Sequence, residues 1–457
     1  MSNIVTIPHQ QADSRTGTPT WLSTDEKGRF VIDEPAFVRS FINSHGLSYI
    51  GGDFYDKNGF KRNEDVRQEI YRYVEPFVTK NIARTATGLY EAIKMAATTE
   101  CARPDETKIF VSGGYMLEFD LTTGEFACKP DRGAATLHRF CVNYDPAATC
   151  PRFVSYMEGL FYPEDIPAIQ EYIGYCLIPS TRGQTALFIE GSGGIGKSVL
   201  TNVLSALFGR SKIPCKINSL EENRFAASTL EHRLLAIDDD MKNAAIEDTG
   251  SLKELISLRS SVLVERKGVQ PHEAHLYARI IGIGNEQLRA ASDTSDGFYR
   301  RLMLVTCKPR AATFKADRFF SDGLMKEMSG IFNWAIIGLQ RLMRNGFNFS
   351  VSQRMVSATD DKRSREDPFY QYAAESGWLE RDANHSVTSS ALYANFNKWH
   401  LQEYGFPCEL ARKAACDRLV KTIQTQFGAT RDTNIRINGV RHSGYKGIAL
   451  TDAQNYF

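Results

Sequence analysis

The chain has 457 residues, 42% of them hydrophobic and 24% charged, enough for about three soluble domains with sizeable cores. Its formal net charge of +1 excludes a global basic field, so any nucleic-acid contact must come from local patches. The nine cysteines include no CxxC pair; their odd number argues against a complete disulfide framework, their spacing gives no zinc site, and a reducing cytoplasm is the expected setting.

No signal peptide and no apolar run long enough to span a membrane is present. Residues 1–25 are polar and read as a mobile tail. Residues 26–150 mix helix-like segments, such as Glu64 to Lys80, with strand-like ones at Lys108 to Val111 and Tyr115 to Phe119. Thr122-Thr123-Gly124 reads as a turn between strands. Residues 155–178 look helical and lead into Thr185 to Glu190, a short apolar run with the character of a buried strand.

The next eight residues, Gly191-Ser192-Gly193-Gly194-Ile195-Gly196-Lys197-Ser198, fit the pattern Gly-x-x-x-x-Gly-Lys-Ser/Thr without a mismatch. From Val199 to Phe208 apolar residues recur at helical spacing. Strand, glycine-rich loop and helix in that order suit phosphate binding. Glycines let backbone N–H groups from Gly191 to Val199 curl around phosphate oxygens, and the helix N-terminus adds partial positive charge. Lys197 is expected to reach the outer phosphates and the Ser198 hydroxyl to ligate magnesium, making ATP and Mg2+ the expected ligands. A plain glycine-rich turn before a helix is the bland alternative, and the full pattern in this context outweighs it.

Hydrolysis needs more parts. Leu234 to Asp240 is an apolar strand ending in three acids, about forty residues after Lys197. We assign Asp238 to the metal, and Asp239 to the attacking water and the metal's surroundings; Asp240 could take either role. Leu252 to Ile256 comes next, followed by Ser261 to Pro271, which reads as strand, basic turn and return. Arg266, Lys267 and Gly268 sit at its tip, with His272 nearby. A solvated basic hairpin is the bland reading; a contact to a nucleic-acid backbone is the functional one. Ala278 to Glu286 is another apolar strand, tipped by Asn285, which could sense a γ-phosphate or simply occupy a turn. Arg300 and Arg301 follow, either a surface charge pair or fingers reaching a neighbouring subunit's nucleotide.

Gly330 to Leu342 reads as a helix with a broad apolar face, and Thr359 to Asp367 as a hinge or an exposed helix. Near the C-terminus, Leu392 to Trp399 and Ala411 to Ile423 read as helices. The second buries Leu419, Val420 and Ile423 and exposes Arg412, Lys413, Arg418 and Lys421. Strand-like pieces at Ile435 to Ile437 and Gly447 to Leu450 flank Arg441, His442 and Lys446. An ordinary solvated face and a DNA-facing surface are equally consistent with these charges.

The order of phosphate loop, acid-tipped strand, Asn-tipped strand and Arg-Arg resembles the superfamily-3 helicases. More narrowly, it resembles the primase-helicase proteins of phages, plasmids and large DNA viruses. Asn143 to Pro151, Gln170 to Tyr175, Phe30 to Glu34 and Gly52 to Asp56 are similar to segments outside the core of that family. The resemblance implies an α/β fold with an AAA+-like P-loop NTPase core at 151–310, after an α/β helicase-associated domain at 26–150. A helical segment and hinge at 311–365 and a winged-helix-like DNA-binding domain at 366–457 would complete the chain. It further implies a homo-oligomeric ring, six subunits being typical, that moves 3′ to 5′ on single-stranded or forked DNA in a bacterial cytoplasm, with a separate primase or polymerase as partner.

Two departures stand out. Ile195 occupies a loop position where many relatives carry Asn, and too few residues precede the helicase-associated region for a primase domain, so primer synthesis is not expected. The rival readings are a protein-remodelling ATPase, an origin-binding initiator and, more weakly, a small-molecule kinase.

Overall fold

Five apolar runs make the central sheet of the larger of two units. They are β1 (Ala186–Glu190), β2 (Lys212–Pro214), β3 (Leu235–Met241), β4 (Arg279–Gly284) and β5 (Leu302–Thr306), all parallel, in the order β2-β3-β4-β1-β5. Leu187, Phe188, Ile237, Ile281 and Val305 are buried, as strands covered on both faces require. The register pairs Leu187 with Ile281 on one side and with Met303 on the other. Because β4 lies between β1 and β3, the residue after Gly284 is carried alongside the loop that follows β1.

Backbone proximity constrains this centre. A Cβ on Gly282 would lie 2.4 Å from Met241 Sδ and 2.7 Å from Phe188 Cδ1, so only glycine fits there without displacement. The β3–β4 register shifts between Asp238 and Met241, where β3 changes from buried to exposed residues.

The computed structural model describes residues 19–50, 52–56, 59–99, 104–131, 136–222, 225–241, 250–257, 261–266, 269–285, 296–309, 320–437 and 439–451. The described residues of Met1–Ala244, Gly250–Leu288 and Arg301–Ser352 form one unit, and those of Arg289–Arg300 and Gln353–Phe457 the other.

In the first unit, helices Glu34–His45, Asn63–Val74 and Ile82–Ala97 enclose Trp21, Phe37, Phe54, Ile70 and Leu89. The second of these stops short of the expected Lys80: Glu75 keeps helical backbone, but Pro76 has no N–H with which to continue the ladder. A four-stranded sheet follows, ordered Phe126–Pro130, Tyr115–Phe119, Lys108–Ser112, Arg139–Asn143, with the last pair parallel. His138, just before its last strand, ties this sheet to the core. Its ring nitrogens lie 2.8 Å from Ser211 Oγ and 2.8 Å from Tyr277 Oη. Burial pushes its pKa down to about 3, so the link is made by a neutral imidazole.

The expected single helix over 155–178 is two helices, Pro151–Leu160 and Ile166–Tyr175. The first ends where Phe161 turns to extended backbone (φ −118°, ψ 159°), and Pro163, which disfavours helical backbone at the residue before it, keeps the chain from resuming the helix at once. Helix Met328–Arg344 packs on the second through glycines: a Cβ on Gly174 would stand 2.3 Å from Ala335 O, and one on Gly338 2.3 Å from Gln170 O. The buried carboxylate of Glu171 locks this packing, accepting from Arg341 Nε at 2.6 Å and from Ser350 N and Oγ at 2.7 Å each. Among the described residues no helix is long and apolar enough to cross a membrane.

The second unit holds a three-stranded antiparallel sheet ordered Leu379–Thr388, Val440–Leu450, Thr430–Ile437. Helices Ser389–Tyr404 and Arg412–Phe427 pack with it around Phe396, Trp399, Leu419, Ile423 and Tyr445. Strand Leu379–Thr388 has no counterpart in the sequence reading; it is a largely exposed edge strand, so its polar residues give no alternating signal. The charged stretch from Thr359 is helical within Gln353–Glu366. The short helix Asp296–Tyr299 and Arg300 also belong to this unit.

Candidate functional site

The loop between β1 and helix Lys197–Phe208 is shaped by three of its glycines. Gly194 and Gly196 take φ of +76° and +106°, backbone that glycine adopts without strain. Gly191 packs so closely that a Cβ there would meet Ile195 Cδ1 at 2.7 Å and Cys307 Cβ at 2.8 Å. Ile195 is buried against this base, which gives the apolar side chain a packing role. Gly191 N donates to Gly284 O at 3.3 Å, tying the loop to the end of β4.

Lys197 is the first residue of the helix and is buried. Its ammonium donates to Gly191 O at 2.6 Å, Ser192 O at 2.9 Å and Asn285 Oδ1 at 3.0 Å. The last contact joins residues 88 apart in sequence and places the Asn-tipped strand at the phosphate loop. Burial pulls the lysine below its usual range. The neighbouring Cys307 thiol is pushed up to about 12 by burial and stays neutral. The three acceptors that the described residues place around Lys197 are uncharged, so a phosphate oxygen would be a stronger partner than any of them. Ser198 is exposed on the first turn, where a hydroxyl could meet a metal ion. A glycine cradle, an ammonium and this hydroxyl fit a nucleotide phosphate with magnesium.

The three acids of β3 separate clearly. Asp238 is buried: Oδ1 accepts from Lys216 Nζ at 2.8 Å and Oδ2 from Ile217 N at 2.9 Å. Lys216 also donates to Asp240 O at 3.3 Å. Asp239 and Asp240 are exposed at the strand tip. Arg301 turns inward, donating through Nε to Ser257 Oγ of its own chain, while Arg300 is exposed.

The basic hairpin is present as Val262–Arg266 paired with Val269–Ala274. Lys267 and Gly268 lie outside the described residues. Arg266 and His272, for which a nucleic-acid contact is the functional reading and a solvated hairpin the bland one, both meet one carboxylate. Arg266 donates to Glu231 Oε2, and His272 Nε2 lies 3.1 Å from each Glu231 oxygen.

Residues 189–301 match a family described as a family of unknown function (DUF5906). No curated protein matches the chain. Among solved structures, the apo structure of the NrS-1 C-terminal region is similar over 91% of this chain and 100% of that one, at 11% identity and TM-score 0.50. A second, A-form apo structure of the same region covers 88% of this chain and 96% of that one, at 12% identity and TM-score 0.45. JCV helicase is similar over 48% of this chain and 63% of its own, at 12% identity and TM-score 0.27. At these identities the NrS-1 likeness at TM-score 0.50 is a likeness of fold.

Sequence reasoning missed Lys216 and Glu231. Neither belongs to a motif, and each acts on a residue far along the chain: Lys216 on Asp238, Glu231 on Arg266 and His272. Their roles become visible only once the strands are placed.

Proposed function

We propose that this chain is a magnesium-dependent ATP hydrolase of the superfamily-3 helicase kind, with an AAA+-like core. It assembles as a ring, six subunits in our reading, and translocates on single-stranded DNA at a fork. The observation that carries this reading is the contact of Lys197 with Asn285 across the phosphate loop, in a sheet whose acid-tipped strand lies next to the Asn-tipped one. In this reading Lys197 exchanges its carbonyl partners for phosphate oxygens. Asn285, released from Lys197, orients the attacking water together with Asp239. Ser198 and Asp238 or Asp239 hold the metal, which when present neutralises charge on the phosphates. Asp238, gripped by Lys216 and Ile217, also fixes the strand tip that presents Asp239. Arg300 is the better candidate for a finger to a neighbouring subunit, because Arg301 is engaged within its own chain.

On the DNA side, Lys267 at the hairpin tip contacts the strand, and the C-terminal unit adds a winged-helix-like surface with Arg412, Lys413, Arg441 and His442. The separate primase or polymerase and the bacterial cytoplasm belong to the same proposal. One observation favours a second reading, an ATPase that remodels protein or loads at an origin without unwinding: Glu231 already engages both Arg266 and His272.

ATP hydrolysis measured with and without single-stranded DNA separates them. We expect DNA to stimulate hydrolysis, Lys197→Ala to lower it on the order of 10²-fold or more, and Lys267→Ala to remove the stimulation. Robust hydrolysis indifferent to DNA and to Lys267 would favour the second reading.

A further inference from the structure

The helix that precedes the core reaches back to the phosphate loop. Tyr156, on helix Pro151–Leu160, donates its hydroxyl to Gly196 O at 2.9 Å. That carbonyl also accepts from Val199 N at 3.0 Å, so it is held from two directions. The peptide between Gly196 and Lys197 is planar and trans, and its C=O and N–H point opposite ways. Fixing the oxygen therefore fixes the direction of the Lys197 N–H. That N–H is one of the unpaired donors at a helix start that would face a phosphate. Gly196 needs such a restraint, because at φ +106° it sits in backbone space that glycine enters and leaves freely.

Tyr156 is suited to the task. Its helix is anchored at both ends: the Glu327 carboxylate accepts from Arg152 N at 3.3 Å and Phe153 N at 3.1 Å, and Leu160 O accepts from Lys308 N at 2.9 Å. Phe153, Met157 and Leu160 are buried beneath it. The ring packs beside Phe320 at 5.8 Å between centroids, and burial raises the phenol far above its usual range, so its O–H remains a donor.

We propose that Tyr156 is a positioning residue for nucleotide binding, setting the Gly196–Lys197 peptide so that the Lys197 N–H faces the phosphates. This rests on the ATP-binding reading above. The interaction is present before and throughout the reaction, so it supports substrate and transition state equally and is read in KM and not in kcat.

The test compares Tyr156→Phe with Lys197→Ala in the full chain, measuring Mg-ATP affinity, steady-state hydrolysis and thermal midpoint. Tyr156→Phe keeps the ring and removes only the donor. We expect ATP affinity to weaken about three- to ten-fold and KM to rise in step, with kcat unchanged and the thermal midpoint lowered by no more than about 4 °C, the cost of one hydrogen bond. Wild-type affinity in Tyr156→Phe, alongside loss of binding in Lys197→Ala, would overturn the positioning role and leave the nucleotide site standing. A midpoint that falls by about 10 °C or more together with affinity would also overturn it, making Tyr156 a packing residue. If Lys197→Ala bound ATP like the wild type, the nucleotide reading itself would fail.

Discussion

The phosphate loop and the basic hairpin carry cations that the sequence singles out in the same way, yet their surroundings are opposite. Lys197 is buried among neutral oxygens from Gly191, Ser192 and Asn285. Arg266 is exposed and His272 half-buried, and both are held by the carboxylate of Glu231. A buried ammonium without a counter-charge is costly and gains greatly from an arriving anion. An exposed guanidinium already on a carboxylate gains less, because the incoming phosphate must displace a charge of the same sign. The contrast teaches that fixed spacing around a glycine-rich loop marks a lysine held among neutral oxygens, whereas a cluster of basic residues says nothing of the carboxylate it faces.

The largest effect should come from the neutral side of this comparison. Asn285→Ala removes the side-chain acceptor that the described residues place on Lys197 and, in the proposed mechanism, the group that orients water. We expect kcat to fall on the order of 10²-fold, with ATP affinity within a few-fold of wild type. Single-turnover hydrolysis checks this. A variant that loses affinity but keeps its rate would make Asn285 only a partner for the lysine.

How much of this was legible follows the same line. β1, the loop and its helix could be read because the chemistry is local: Gly191 to Ser198 build the cradle from consecutive backbone. β3 and β4 were recognisable as continuous apolar runs, buried on both faces. The division of labour among Asp238, Asp239 and Asp240 was not legible, because it depends on Lys216 and on the register shift after Asp238. The fate of Arg301 depended likewise on Ser257, which no motif marks. Polar edge strand Leu379–Thr388 escaped notice because an exposed strand carries no burial pattern to read.

A second prediction uses pH to separate the two cations. Burial lowers the pKa of Lys197, so its proton is lost at a lower pH than from an ordinary lysine. As pH rises through that depressed value, ATP affinity should fall, by at most about tenfold per unit. Arginine does not titrate in this range, so DNA affinity resting on Arg266 should hold. Titrations of nucleotide and DNA binding over the same alkaline range check the sign. Parallel loss of both would point to general unfolding, and flat ATP affinity would contradict a burial-lowered Lys197.

The smallest effect tests the charged side. Glu231→Gln keeps the shape and an acceptor oxygen but removes the negative charge that Arg266 and His272 face. If the hairpin face meets DNA, phosphates no longer compete with a carboxylate, so affinity for single-stranded DNA should rise about three- to ten-fold at low salt. The dependence on salt should steepen, since more cations then release counterions on binding. Hydrolysis without DNA should not change, because Glu231 makes none of the contacts at the phosphate loop. Unchanged affinity and salt slope would mean that Glu231 merely seats the hairpin and that Arg266 and His272 lie off the DNA path. The nucleic-acid contact would then have to come from the hairpin tip alone, and the hairpin face would serve only to hold that tip in place.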